Sequence, residues 1–126
     1  MGVSVCLCKN KDCKKLPYVQ ISISLDDFNV NYPDGTCSLT KTIRLKAGKH
    51  ISYQLHHHRS EIWTCVDGEG IFVLDGERRL IKRGNVMNIP VEHYHAIKAT
   101  TDLTFIEVQL SNPLVEEDIE RFEYEW

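Results

Sequence analysis

Apolar and polar residues alternate in short runs along most of this chain. Residues 18–25 (Tyr-Val-Gln-Ile-Ser-Ile-Ser-Leu) carry the period-two pattern of a half-buried strand. Further strand-like runs follow at 38–45, 51–57, 61–66, 71–74, 78–82, 86–89, 95–99 and 103–110. Turn residues separate them: Asn31-Tyr32-Pro33-Asp34-Gly35, Ala47-Gly48, Asp67-Gly68, Asp75-Gly76, Gly84-Asn85 and Pro90. Asp75-Gly76 is a two-residue hairpin signal, because both central positions of such a turn need positive φ. No helical period occurs before residue 113, and only 113–122, short and acidic, is predicted to be helical. Many short strands at even spacing predict an all-β sandwich or barrel with a short C-terminal helix. Residues 1–17, ending at Pro17, read as an N-terminal arm and 18–126 as a single domain.

Composition narrows the class. A chain of 126 residues supports one core, and its 42% hydrophobic and 26% charged residues are those of a globular domain. Its apolar runs are too short to span a bilayer, and the N-terminus lacks the basic region and apolar core of a signal peptide. A cytoplasmic protein is expected, with no membrane partner. A net charge of −3 and a short basic run without interleaved aromatics argue against a nucleic-acid partner. Five cysteines in a chain without an export signal are expected to be reduced. Cys6, Cys8 and Cys13 depart from CxxC spacing and have no matched second half, so they are read as part of the arm.

The chemistry concentrates in Gln54-Leu55-His56-His57-His58-Arg59-Ser60-Glu61-Ile62-Trp63. Histidine and carboxylate ligate divalent metals, and an amide oxygen adds a neutral donor. Strand alternation places Gln54, His56 and His58 on one face and His57 on the other. Glu61 begins the next run after a reversal, and His95 supplies a donor from further along the chain.

These residues resemble the two cupin motifs. Gly48, Gln54, His56, Glu61 and Gly68 match the first, with Gln replacing its first His. Gly84, Pro90 and His95 match the second, with Glu92 in place of its Gly and Ala99 in place of its Asn. Gln-x-His-His-His-Arg-x-Glu-x-Trp, Ile106-Glu107-Val108-Gln109 and Glu117-Asp118-Ile119-Glu120-Arg121-Phe122 are similar to the cupin domain of type II phosphomannose isomerases. The likeness covers about residues 41–124. It departs at the missing Pro-Trp-Gly segment near residues 17–35 and at Leu110-Ser111-Asn112-Pro113-Leu114, where the family has Gly-x-Tyr-x-Gly. No nucleotidyltransferase domain or glycine-rich nucleotide loop is present in the sequence, so GDP-mannose synthesis is not expected of it.

The resemblance implies a jelly-roll barrel (double-stranded β-helix) whose metal ligands are Gln54, His56, Glu61 and His95. The metal expected is zinc, with cobalt, nickel, manganese or iron as alternatives. It also implies a sugar-phosphate substrate, with mannose 6-phosphate converted to fructose 6-phosphate, and a homodimer. The catalytic residues expected are His58 as the acid/base group and Arg59 and Arg121 as phosphate anchors. Glu61 is a second choice of base, and Lys41 and Lys98 are further anion contacts. His93 and Tyr94 are expected at the rim, with Trp63, Phe72 and Phe105 in the core. Two other functions compete: a metal-containing cupin that binds a sugar phosphate or sugar nucleotide without turnover, and a small oxygenase. The neutral Gln disfavours the oxygenase, since iron oxygenases favour histidine and carboxylate ligands.

Overall fold

A computed structural model describes residues 28–111 and 117–126. The arm, the strand expected at 18–25, and Cys6, Cys8 and Cys13 lie outside them. The described chain forms ten strands. They are β1 (Phe28–Asn31), β2 (Cys37–Leu45), β3 (Tyr53–Leu55), β4 (Arg59–Asp67), β5 (Glu69–Leu74), β6 (Glu77–Lys82), β7 (Val86–Ile89), β8 (His95–Ala99), β9 (Leu103–Ser111) and β10 (Glu120–Phe122). Two five-stranded antiparallel sheets result, in the orders β1-β2-β9-β4-β7 and β10-β3-β8-β5-β6. Among the described residues no helix is long and apolar enough to cross a membrane.

The alternating runs become strands because each has one apolar phase to bury. Arg59, Glu61, Trp63 and Cys65 of β4 are buried while the residues between them are half-buried, and β9 repeats the pattern from Leu103 to Ser111. The core joins Trp63, Cys65, Phe72, Ile81, Met87, Ile89, Ile97, Ala99, Leu103 and Phe105 across both sheets. Trp63 packs on Phe105 and edge-on against Phe72, with ring centroids 4.9 and 5.7 Å away.

The turns are also as expected. Asp75 (φ 49°) and Gly76 (φ 84°) close the two-residue hairpin between Leu74 and Glu77. Gly68 follows a register shift in β4, at φ 88°, and a Cβ there would lie 2.0 Å from the Asp102 carbonyl oxygen. Only glycine meets both demands.

One expected element is different. The helix over 113–122 is not what the described part of that stretch forms; residues 112–116 lie outside the description. Glu120–Phe122 are extended and pair with Tyr53–Leu55. The open edge of β3 offers ladder hydrogen bonds to this segment, whereas a short acidic helix would bury no apolar stripe.

Candidate metal centre

Three donors meet where β3, β4 and β8 approach one another. The ligand atoms of His56, Glu61 and His95 all lie within 4.8 Å of one another, and all three residues are buried. Glu61 comes from the inward phase of β4, and His95 opens β8. His56 follows β3 directly. Gln54 sits on β3 opposite His95 and, across the other edge, opposite Arg121. Its amide oxygen accepts a hydrogen bond from the Ser52 hydroxyl at 3.0 Å.

Backbone carbonyls fix both histidine rings. His56 Nδ1 donates to the Asp118 carbonyl at 2.7 Å, and His95 Nδ1 to that of His93 at 2.9 Å. In the neutral rings Nε2 is then the free lone pair, facing the carboxylate of Glu61. His56 Nε2 is 3.1 Å from Glu61 Oε2, and His95 Nε2 is 3.7 Å from Oε1. His95 Nε2 is fully buried and has no hydrogen-bond partner. A buried, unsatisfied acceptor is costly in a folded protein, and a metal ion would satisfy it. The donor set therefore fits a divalent cation.

Burial pushes the Glu61 carboxyl up, but its neighbours, His56 first, then His95 and Arg59, carry its pKa down to about 2. His95 is held below its ordinary value, chiefly by burial. Both shifts favour the forms that bind metal: an ionised carboxylate and a neutral imidazole.

A polar network extends behind the donors. Trp63 Nε1 donates to Glu61 Oε1 at 2.9 Å and to Glu107 Oε2 at 3.2 Å. Gln109 Nε2 donates to Glu107 Oε1 at 3.1 Å. Burial, reinforced by the neighbouring Glu61 charge and hydrogen bond, pushes the Glu107 carboxyl up to about 7. Beside this network lies a cavity of about 310 Å³, whose lining includes Gln54, Arg59, Glu107, Lys41 and Arg121.

The expected site residues divide into two groups. His56, Glu61 and His95 come together, Gln54 pairs with His95 across the strands, and Gln54, Arg121 and Lys41 reach the cavity. His57 is exposed, as expected, although it lies in the bend after β3 and not on the strand; its ring joins Glu92 and Glu120. His93 and Tyr94 sit at the rim, with the His93 ring on Asp75.

His58 requires a correction. It was expected to point inward with Gln54 and His56, but it is exposed in a bend. β3 ends at Leu55, and strand parity does not carry past that point. The Asp118 carboxylate then accepts the backbone N–H groups of both His57 and His58, which fixes the bend. Arg59 is also placed differently from a free phosphate anchor: it is buried, and its guanidinium bonds Glu61 and His56. Lys98 lies over the Trp126 ring.

Glu107, Gln109 and Asp118 are parts of the network to which sequence reasoning gave no role, and Trp63, in the core as expected, also donates to two of its carboxylates. A signal for two of them existed: Glu107 and Gln109 share the phase of Phe105 and Leu103, so polar residues stand where β9 faces the interior.

Two facing antiparallel sheets with a donor cluster between them make this a cupin fold. The chain belongs to the family described as mannose-6-phosphate isomerase C-terminal, which residues 28–124 match. Among curated relatives, the Salmonella typhimurium mannose-1-phosphate guanylyltransferase ManC is 35% identical over 85 residues, 66% of this chain and 18% of that protein. The alginate biosynthesis protein AlgA of Pseudomonas putida is 38% identical over 85 residues, with the same 66% and 18% shares. The chain thus spans less than a fifth of these relatives' length. Solved structures share the fold. A predicted oxalate decarboxylase from Thermotoga maritima superimposes with a TM-score of 0.55 at 22% identity, covering 68% of this chain and 91% of that one. A salicylate 1,2-dioxygenase from Pseudaminobacter salicylatoxidans gives 0.54 at 16% identity, covering 66% and 26%.

Proposed function

We propose that this domain is a metal-dependent sugar-phosphate isomerase that interconverts mannose 6-phosphate and fructose 6-phosphate. The observation that carries the reading is the buried His56–Glu61–His95 donor set beside a cavity that Arg59, Lys41 and Arg121 also line. The family and the polysaccharide-related names of the relatives support the substrate class.

Aldose–ketose isomerisation moves a proton from C2 to C1 while negative charge develops on the sugar oxygens. A divalent ion, zinc first by donor type and availability, would supply Lewis-acid stabilisation of that charge. His56, Glu61 and His95 would hold it, with the Gln54 amide oxygen as a neutral fourth donor. Lys41 and Arg121 give the cavity the cations that orient a phosphate. Glu107 is the one carboxyl group among the described residues lining the cavity, so moving a carbon-bound proton falls to it rather than to the exposed His58. A homodimer belongs to the same reading, and light scattering checks it.

The deciding experiment incubates zinc-loaded protein with mannose 6-phosphate and follows fructose 6-phosphate in a coupled assay. Turnover that disappears in Glu107→Gln is the expected result. Saturable sugar-phosphate binding without turnover would replace the isomerase with a binding module. In parallel, His56→Ala combined with His95→Ala should abolish metal binding; metal retained at one equivalent would sink the ligand assignment.

A further inference from the structure

The metal donors already have a partner within the chain. Arg59 is 7% exposed, and its Nε donates to Glu61 Oε2 at 2.9 Å. Its Nη2 lies 3.2 Å from His56 Nε2. A guanidinium only donates, so His56 Nε2 is the acceptor. That nitrogen has one lone pair, because Nδ1 is committed to the Asp118 carbonyl. A lone pair that receives an N–H cannot also bind a metal at about 2.0–2.1 Å. Arg59 and a metal ion therefore exclude each other at His56, while the Glu61 carboxylate has lone pairs enough to meet either. His95 Nε2, the third donor, is left out of the arginine's reach and has no hydrogen-bond partner.

We propose that Arg59 is an exchangeable internal counter-ion of the donor set, released into the cavity when a metal binds, so that metal and anion binding reinforce each other. The proposal rests on the metal reading above and adds an order of events to it. Arg59 lines the cavity as well as touching the donors, so a side-chain swing is enough to move its charge there. Once released, the guanidinium is a buried cation without its carboxylate, which is costly unless an anion meets it. Glu107, the carboxyl lining the cavity, already receives hydrogen bonds from Trp63 and Gln109. A phosphate or other small oxyanion from solution can fill the role, held by Arg59 with Lys41 and Arg121. Because binding free energies are reciprocal, an anion that prefers the released arginine must also tighten metal binding.

The test uses Co²⁺, read by calorimetry and by its visible absorbance, with wild type, Arg59→Gln and Arg59→Lys, each with and without inorganic phosphate. Circular dichroism confirms that each variant is folded, and Arg59→Lys keeps the charge if Arg59→Gln does not fold. Removing the competitor should tighten Co²⁺ binding about tenfold in Arg59→Gln, and phosphate should tighten it by a similar factor in wild type but not in that variant. Arg59→Lys keeps a cation beside the donors, so it should bind Co²⁺ less tightly than Arg59→Gln and keep the phosphate effect. Equal Co²⁺ affinity in all three proteins would overturn the exchange and leave the metal site standing. A phosphate effect that survives in Arg59→Gln would also overturn it, since phosphate would then be meeting the metal directly. Folded proteins that bind no Co²⁺ at all would overturn the exchange and the metal reading together.

Discussion

The two ends of the barrel interior are built by the same strands from opposite chemistry. At one end β4 and β9 contribute Cys65, Leu103 and Phe105, joined by Phe72, Met87 and Ile97. At the other they contribute Arg59, Glu61, Glu107 and Gln109, joined by His56 and His95. The side chains of both ends are buried, though a cavity borders the polar one. The apolar end gains from burial and needs only shape. The polar end must find a partner for every donor and acceptor, and it nearly does: among the described residues only His95 Nε2 and Gln109 Oε1 are buried without a hydrogen bond. Stability is concentrated at one end and chemistry at the other, with Trp63 at the join: its ring packs on Phe105 while its Nε1 bonds two carboxylates.

Substitutions can break this division, starting at the apolar end. Phe105→Ala should cost about 3–5 kcal/mol in urea unfolding, the usual loss for a buried aromatic ring. Co²⁺ bound per folded molecule should not change; a lost site would mean the two ends are not separable. Trp63→Phe tests the join. It keeps most of the ring packing but leaves Glu61 and Glu107 without their shared donor, so a loss of about 1–3 kcal/mol is expected. A change below about 0.5 kcal/mol would show that the indole N–H matters little.

How far the sequence reveals this division depends on burial. The long strands β2, β4 and β9 were legible because every second residue is apolar or inward. β1 and β10 were not: Phe28–Asn31 alternates but is only four residues long, and Glu120–Phe122 is exposed throughout, with no alternation to mark a strand whose stability comes from an edge it finds in three dimensions. The motif residues Gln54, His56, Glu61 and His95 were readable by spacing; His56, Glu61 and His95 converge, and Gln54 lies opposite His95 on the neighbouring strand. His58 was misread because parity was carried past the end of β3. The engagement of Arg59 was beyond reach, since pattern gives a side chain's face and not its partner.

Two smaller tests bear on the rim of the polar end. Glu92, where the motif has Gly, sits at φ 65°, a left-handed conformation that glycine adopts freely. Its N–H is bonded to the His56 carbonyl, so the backbone must hold that shape. Glu92→Gly should raise the melting temperature, by the equivalent of about 0.5–1 kcal/mol once the lost His57 contact and the freer unfolded chain are subtracted. A lowered melting temperature would show that the exposed His57 contact outweighs the backbone strain.

Asp118 gives the smallest effect. Burial is the largest single influence and raises its pKa, but the His57 and His58 backbone N–H groups and the nearby histidine charges together carry it below its ordinary value of 3.8. A depressed folded pKa contributes stability above the unfolded value that is lost as the pH falls through the folded one. Wild type should therefore lose a small increment below about pH 4 that Asp118→Asn lacks at every pH. Solvent screening keeps this increment under about 1 kcal/mol. Parallel acid limbs for the two proteins would remove Asp118 from the account.

The pairing of β10 with β3 has a kinetic consequence. His56 is oriented by the Asp118 carbonyl, next to a strand of three exposed residues at the sheet edge. Segments of this kind open locally at a small fraction of the free energy of global unfolding. Hydrogen exchange at the His57 and His58 amides would then report the rate at which this edge detaches. That rate, rather than unfolding of the barrel, would set how quickly the site can admit or lose what it holds.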